Sequence, residues 1–439
     1  MRKTDMRRSH WRIIFTAGMG FFTDAYDLFI IGVVTALIGP IWGLSIDQIA
    51  LLNGSALLAA ALGAIFFGLL SDRLGRKKLY GIEVLILFFG AIASALATSF
   101  WWLFIARFIM GFGIGGDYPT SAVVASEYAP QRNRGYMVLL VFAMQALGMI
   151  FGPALASLML MTPLAHMDIA RILLGFGAIP AASVFILRRQ LQETPEFKKQ
   201  ANLPLSVSRV VRDIVKDKGN PKPVGTYKRQ SLWQSKWLKT LLITGGSWFL
   251  LDVALYGNTV SNMMILNAIQ PDASLLAHTA MTALIFLVFA VPGYFLAAAY
   301  IDQIGRKRLQ LLGFAVMAMC YCAIGSFPII PKTIVLFLLI YGVSYFFTNF
   351  GPNTTTFLVP SEVYPTSLRA TGHGLSAAIG KVGAAIGAFL LPGILKLHGL
   401  EYVMIGMCLV ALVGVGLSIF LPDMTNRCLS ETEEMVTNE

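Results

Sequence analysis

Charge is scarce in this chain. Only 13% of its 439 residues are Asp, Glu, Lys or Arg, against 56% hydrophobic, and the mean hydropathy is +0.70. A soluble domain of this length has too small a core for so much apolar surface, which leaves an integral membrane protein. Cysteine is nearly absent: Cys320, Cys322 and Cys408 lie in apolar stretches, Cys428 in the tail, and none shows metal-ligand spacing, so no disulfide framework and no metal is expected. His10, His166, His278, His373 and His398 fit neither a metal site nor a catalytic triad. Acidic residues are outnumbered 23 to 34, giving a net charge of +11. Such an excess could suit nucleic acid, but 29 of the 34 Lys and Arg fall in alternate loops between apolar runs, so here basic charge encodes topology. The positive-inside rule then puts both termini and the long central loop in the cytoplasm. The basic start runs into a long apolar segment without a small-residue cleavage pattern, so the first helix reads as retained.

What is present is a set of apolar runs of about 20 residues, the length that crosses a bilayer. They fall at 12–38, 47–70, 79–98, 101–125, 136–160, 169–187, 239–266, 275–300, 309–327, 333–358, 368–395 and 399–421. Their number predicts an all-α membrane protein of twelve transmembrane helices. The boundaries are an N-terminal six-helix bundle at 1–187, a charged, Pro- and Gly-containing cytoplasmic linker at 188–238, a second six-helix bundle at 239–422 and a cytoplasmic tail at 423–439. The bundles read as copies of each other. Asp72-Arg73-Leu74-Gly75-Arg76-Lys77-Lys78 recurs 230 residues later as Asp302-Gln303-Ile304-Gly305-Arg306-Lys307-Arg308. Ser126-Glu127, Pro130 and Arg134 match Ser361-Glu362, Pro365 and Arg369 at an offset of 235, and Asp24 matches Asp252 at 228. Repeated membrane halves point to a transporter.

Gly68 to Lys78 resembles the cytoplasmic loop signature of the major facilitator superfamily, and Arg107 to Gly116 resembles its fourth-helix motif. Gly20-Phe-Phe-Thr-Asp24-Ala-Tyr-Asp27, Gly115-Gly116-Asp117-Tyr118-Pro119, Trp248-Phe-Leu-Leu-Asp252 with Tyr256, Asn349-Phe-Gly-Pro-Asn353, and Gly374 to Lys381 are similar to the phosphate:proton symporter family within it. The resemblance spans nearly the whole chain. It implies the major facilitator fold, two pseudo-symmetric bundles, and symport of inorganic phosphate with protons.

Asp252 and Lys381 are ionisable groups in apolar helices of the same half, where such groups face a cavity or a partner. One reading is a structural ion pair. The other is an anion site in which Lys381 donates and Asp252 accepts from hydroxyls that dihydrogen phosphate has and sulfate lacks. Tyr118, Gln145, Trp248, Tyr256 and Asn353 are polar or aromatic groups that read equally as packing; the resemblance makes them the remaining phosphate ligands. Asp24, Asp27 and Asp117, in the other half, are too expensive to keep ionised in a membrane without a partner or a purpose. With Asp252 they form the candidate proton-coupling set, against the alternative that Arg107 neutralises one of them; Asp27 reads as the structural member.

Asp72, Arg73, Arg76, Arg107, Glu127, Arg134, Asp302, Arg306, Glu362 and Arg369 form a candidate gate of pairs that close and part on the cytoplasmic side, or else permanent folding anchors. Gly111-x-Gly113-x-x-Gly116 satisfies a dinucleotide fingerprint but lies inside a membrane run, so it reads as helix packing. The expectation is therefore a multi-pass secondary transporter of the plasma membrane, not an enzyme, with phosphate, protons and the lipid bilayer as partners and no nucleic acid, no metal and no cofactor. The oligomeric state is left open and is compatible with a monomer. Alternatives are a proton-coupled organic anion or sugar symporter and a non-transporting nutrient sensor of the same fold.

Overall fold

The computed structural model describes residues 8–191, 193–194, 232, 234–425 and 427; most of the expected linker and the tail beyond 427 lie outside them. No strand occurs among the described residues. Among the described residues eleven helices are long and apolar enough to cross a membrane: α1 (His10–Trp42), α2 (Ile46–Leu74), α3 (Arg76–Ala95), α5 (Gln131–Leu160), α6 (His166–Arg189), α7 (Ser235–Val260), α8 (Leu275–Ile304), α9 (Arg306–Ser326), α10 (Ile334–Val363), α11 (Arg369–His398) and α12 (Leu400–Ser418). The twelfth, α4 (Phe100–Tyr128), has 29 residues and carries Arg107, Asp117 and Glu127 along its length. One boundary differs from expectation in a way that matters. The sixth helix does not stop at 187; it runs through Arg188 and Arg189, and Arg188 is buried.

Local sequence explains the ends. Ser45 caps α2 with a reciprocal Gln48 contact, while Ser99 caps α4 and Ser274 caps α8, each hydroxyl oxygen accepting from an otherwise orphaned amide. The repeated loop keeps its geometry where its spelling has drifted. Gly75 and Gly305 hold φ 94 and 98, a left-handed conformation that glycine adopts at little cost.

Within the first half α2 packs on α4, α1 on α5 and α6, and α3 on α4 and α6; within the second, α7 packs on α11 and α12, and α9 on α10 and α12. The halves meet chiefly where α2 lies on α11 and α5 lies on α8. Since α2 is the repeat-equivalent of α8, and α5 of α11, the two contacts are one interface repeated by pseudo-twofold symmetry. At the α2–α11 crossing a Cβ on Gly68 would stand 2.7 Å from the Ala370 carbonyl, so only glycine permits this approach. Gly111 and Gly115 of the false fingerprint likewise pack against the α2 backbone at Ala56 and Ala60. Lipid faces are apolar, with Leu62, Phe66, Phe89, Leu242, Leu397 and Phe420 exposed, and Trp101 and Trp102 sit at one end of α4 where an aromatic belt belongs.

Candidate functional site

Lys381 lies near the middle of α11. Its ammonium donates to Asp252 Oδ2 at 3.0 Å and to the Tyr256 hydroxyl at 2.9 Å, and it stands 4.5 and 4.2 Å from the ring centroids of Tyr118 and Tyr256. Trp248, Asp252 and Tyr256 share one face of α7 at i, i+4, i+8, and the Trp248 and Tyr118 rings lie 5.9 Å apart. The Tyr118 and Tyr256 hydroxyls are 3.3 Å apart across the two halves. Five of the expected ligands thus meet directly. Gln145 and Asn353 form an adjoining network through Tyr294, whose hydroxyl donates to Gln145 at 2.9 Å and accepts from Asn353 at 2.6 Å. Tyr294 was not singled out in the sequence, because a tyrosine in an apolar helix looks like packing. None of the seven expected residues is more than 3% exposed, and Asp252 Oδ1 has no hydrogen-bond partner.

The site is sealed towards both membrane faces. Towards the end that carries Arg76 and Arg306, Phe142 and Phe357 stack with centroids 4.1 Å apart at 9°, and Phe21 meets them edge-on at 5.3 and 5.0 Å. Towards the other end Phe29 stacks on Tyr256 at 5.2 Å. Such aromatic contacts contribute about 0.5–1.5 kcal/mol each beyond area burial. Chemically, one cation, two phenols, an indole and one carboxylate acceptor suit a small oxyanion that keeps a hydroxyl of its own.

A second buried cluster lies in the first half. Asp24 (α1), Glu83 (α3) and Asp117 (α4) line one small cavity with Gly20, Thr23 and Val184. Arg188, at the end of α6, donates to Glu83 at 2.9 Å and to Asp117 at 2.8 Å, with its guanidinium 4.3 Å over the Tyr80 ring. Asp117 also accepts a short hydrogen bond from Ser121, and both Glu83 oxygens accept from the Gly81 amide at 2.9 Å. Both Asp24 oxygens are buried without a partner. Glu83 and Arg188 were missing from the expected set. Arg188 stands in an Arg-Arg pair at the end of an apolar run, where the topology rule reads it as loop charge. Of the three carboxylates that Arg107 was a candidate to neutralise, it stands beside Asp27, donating to that residue's backbone carbonyl at 2.7 Å with its charge acting on the Asp27 carboxylate. It does not join the gate, since 20 residues of helix, roughly 30 Å, separate it from Glu127. Gly177 of α6 lies against the Asp27 carboxylate, one of whose oxygens is unpartnered.

Eight of the ten candidate gate residues form two related clusters at the basic end. Arg76 contacts Asp72 at 3.2 Å and Glu127 at 3.1 Å, and Arg369 of the other half reaches the same Glu127 oxygen at 3.1 Å. In the second, Arg306 contacts Asp302 and Glu362, both at 2.8 Å, with Arg134 of the first half 4.0 Å from Glu362. Each cluster includes a carboxylate capping a helix of the opposite half. Asp72 accepts from the Ala370 and Thr371 amides at 3.3 and 2.7 Å, and Asp302 from the Tyr136 amide at 2.9 Å. Negative charge at a helix N-terminus is favourable. The Glu193 carboxylate accepts from the Arg76 and Lys77 amides, both at 3.1 Å. Arg73 is exposed. The tail begins by folding back: Met424 is buried beside Trp237 and Tyr364, and the Arg427 carbonyl accepts from Arg134 at 3.1 Å.

Residues 13–436 match the model of the family described as sugar (and other) transporter. The chain is 38% identical to inorganic phosphate transporter 1-1 of Arabidopsis thaliana, across 87% of this chain and 83% of the relative. It is equally identical to inorganic phosphate transporter 1-6 of Oryza sativa subsp. japonica, across 87% and 82%. In fold it matches the major facilitator superfamily proton:xylose symporter XylE, solved with 6-bromo-6-deoxy-D-glucose, with a TM-score of 0.80 at 18% identity over 97% of this chain and 98% of that one.

Proposed function

Because the chain belongs to the sugar (and other) transporter family of the major facilitator superfamily, and within it stands with the inorganic phosphate transporters, we propose that it carries inorganic phosphate into the cell with protons by alternating access. It is a transporter, not an enzyme. The observation that carries the reading is the sealed contact between the halves at Tyr118 and Tyr256, with the Lys381–Asp252 pair beneath it. Phosphate enters this contact by taking Lys381 and the phenols as donors, while Asp252 turns its free oxygen to a phosphate hydroxyl. Sulfate offers Asp252 no proton and meets an unpaired negative charge instead, which is a basis for rejecting it. The Arg76 and Arg306 clusters lie on the cytoplasmic side and hold it shut in this state; they part when the halves rock the other way. The protein works in the plasma membrane with both termini in the cytoplasm.

A monovalent anion entering a cell that is negative inside works against about 2.3 kcal/mol per charge per 100 mV, so accumulation needs at least one proton per phosphate and more than one to exploit the voltage. Asp24, Asp27, Asp117 and Asp252 are the candidate groups for that coupling, with Asp27 as the structural member. The test is uptake of labelled phosphate into proteoliposomes, competed with sulfate, arsenate and carboxylates, while lumen pH is recorded. Phosphate-specific uptake that acidifies the lumen is expected. Concentrative uptake that persists after pH gradient and voltage are both collapsed overturns symport, and competition by carboxylates or sugars overturns phosphate.

A further inference from the structure

The first-half cluster holds three carboxyl groups and one cation, and their hydrogen bonds are divided unevenly. Asp117 has Ser121 on one oxygen and Arg188 on the other. Glu83 has Arg188 Nη1 and the Gly81 amide. Asp24 faces the same cavity, is wholly buried, and has nothing on either oxygen. The arrangement is built for closeness: a Cβ on Gly20 would overlap both Arg188 Nη2 and Asp117 Oδ2, so α1 approaches the fork only because residue 20 is glycine.

We propose that Arg188 is a positioning residue that assigns the transported proton: by forking between Glu83 and Asp117 it keeps those two ionised and leaves Asp24 as the carboxyl that binds and releases it. A carboxylate with two charge-assisted partners is favoured in its ionised form, whereas one buried without donors is favoured neutral. The step makes and breaks only an O–H bond. Asp24 takes a proton from water on the entry side and returns it to water on the other. The titratable and charged groups around Asp24 are Tyr26 and Asp27 on its own helix, Tyr80 and Glu83 on α3, Arg107, Asp117 and Tyr118 on α4, and Arg188 on α6. Arg107 is engaged at Asp27, and among the described residues Arg188 is the cation whose charge acts on Asp24.

The inference rests on the symport reading, so its test includes a readout that needs no transport. Infrared spectra of the full chain in lipid, recorded across a pH titration, should contain a buried protonated-carboxyl band that Asp24→Asn removes. Arg188→Lys keeps the charge but not the fork, and should add a second such band that Asp24→Asn does not remove. In uptake assays it should also move the pH of half-maximal phosphate uptake upward by about one unit, a tenfold change in proton concentration. If Arg188→Lys does not yield monodisperse protein, Arg188→Gln with Glu83→Gln removes one charge of each sign and should likewise add a band, from Asp117. Spectra in which Asp24→Asn removes no protonated-carboxyl band overturn the proposal. So does a well-folded Arg188 variant with the parental pH midpoint and no new band, the outcome of a merely structural bridge. An Asp24 band in a protein whose uptake ignores both pH gradient and voltage keeps the proton assignment and sinks symport instead.

Discussion

Around Lys381 one cation faces one carboxylate; around Arg188 one cation faces three carboxyl groups. The first cluster is balanced and lies where the halves touch, while the second is unbalanced and lies inside one half. A balanced pair exchanges its partner for an incoming anion and returns to neutrality when the anion leaves. An unbalanced cluster sheds part of its excess negative charge only by holding a proton. The contrast supports dividing the work, with the anion at one cluster and its protons at the other, and it can be broken from either side.

The largest effect is expected at the balanced pair. Lys381→Gln strands Asp252 without its cation, a change worth roughly 3–5 kcal/mol for a buried pair, and should lower phosphate binding by about 100-fold or more. Asp252→Asn should remain folded and lose both phosphate exchange and driven uptake. Binding measured on monodisperse protein decides: affinity within about threefold of the parent in both variants would make the pair a structural bolt.

Next comes Asp24→Asn. If the division of work holds, driven uptake falls by at least about tenfold, while phosphate binding and exchange between equal pools stay within about threefold, because exchange needs reorientation but no proton release. Binding lost as completely as in Asp252→Asn would merge the two clusters into one site.

The gate gives a smaller effect. Asp72→Ala removes the acceptor from two amides of α11, costing about 1–2 kcal/mol of the closed state, so hydrogen exchange at Ala370 and Thr371 should quicken by about 5- to 30-fold. Asp302→Ala removes the acceptor of one amide of the opposite half, Tyr136, where Asp72→Ala removes that of two, and should quicken exchange less. Unchanged protection in both would show that the aromatic layer alone holds this end shut. The smallest effect is expected far from either cluster. Ser45→Ala removes the capping box of α2, lowering stability by about 1 kcal/mol, and a thermal melt should move while phosphate uptake does not.

The helices and the repeat were readable in the sequence because apolar length and recurrent polar landmarks are local signals. Asp252 and Lys381 were readable because a charge in an apolar run stands out. Glu83 and Arg188 were not. Each lies within a few residues of loop charges, and only the fold shows that α3 and α6 turn them inward. Tyr294 and the Phe142–Phe357 stack carry no sequence signal at all, since an aromatic in a membrane helix is the commonest kind of packing residue and its partner is set by tertiary contact. Arg107 misled for the opposite reason. It lies in a motif associated with the fourth helix, yet it enters the helix nearer the end opposite Glu127, and helix length alone carries it away from the gate.

Arg188 and Glu193 are five residues apart, so the chain between them can span no more than roughly 17 Å. One end of that short leash is fixed in the Asp117–Glu83 fork, and the other grips the first amides of α3 at Arg76 and Lys77. The chain that leaves the sixth helix is therefore anchored twice within a few residues, once in the carboxyl cluster of the first half and once at the start of α3 beside the basic cluster.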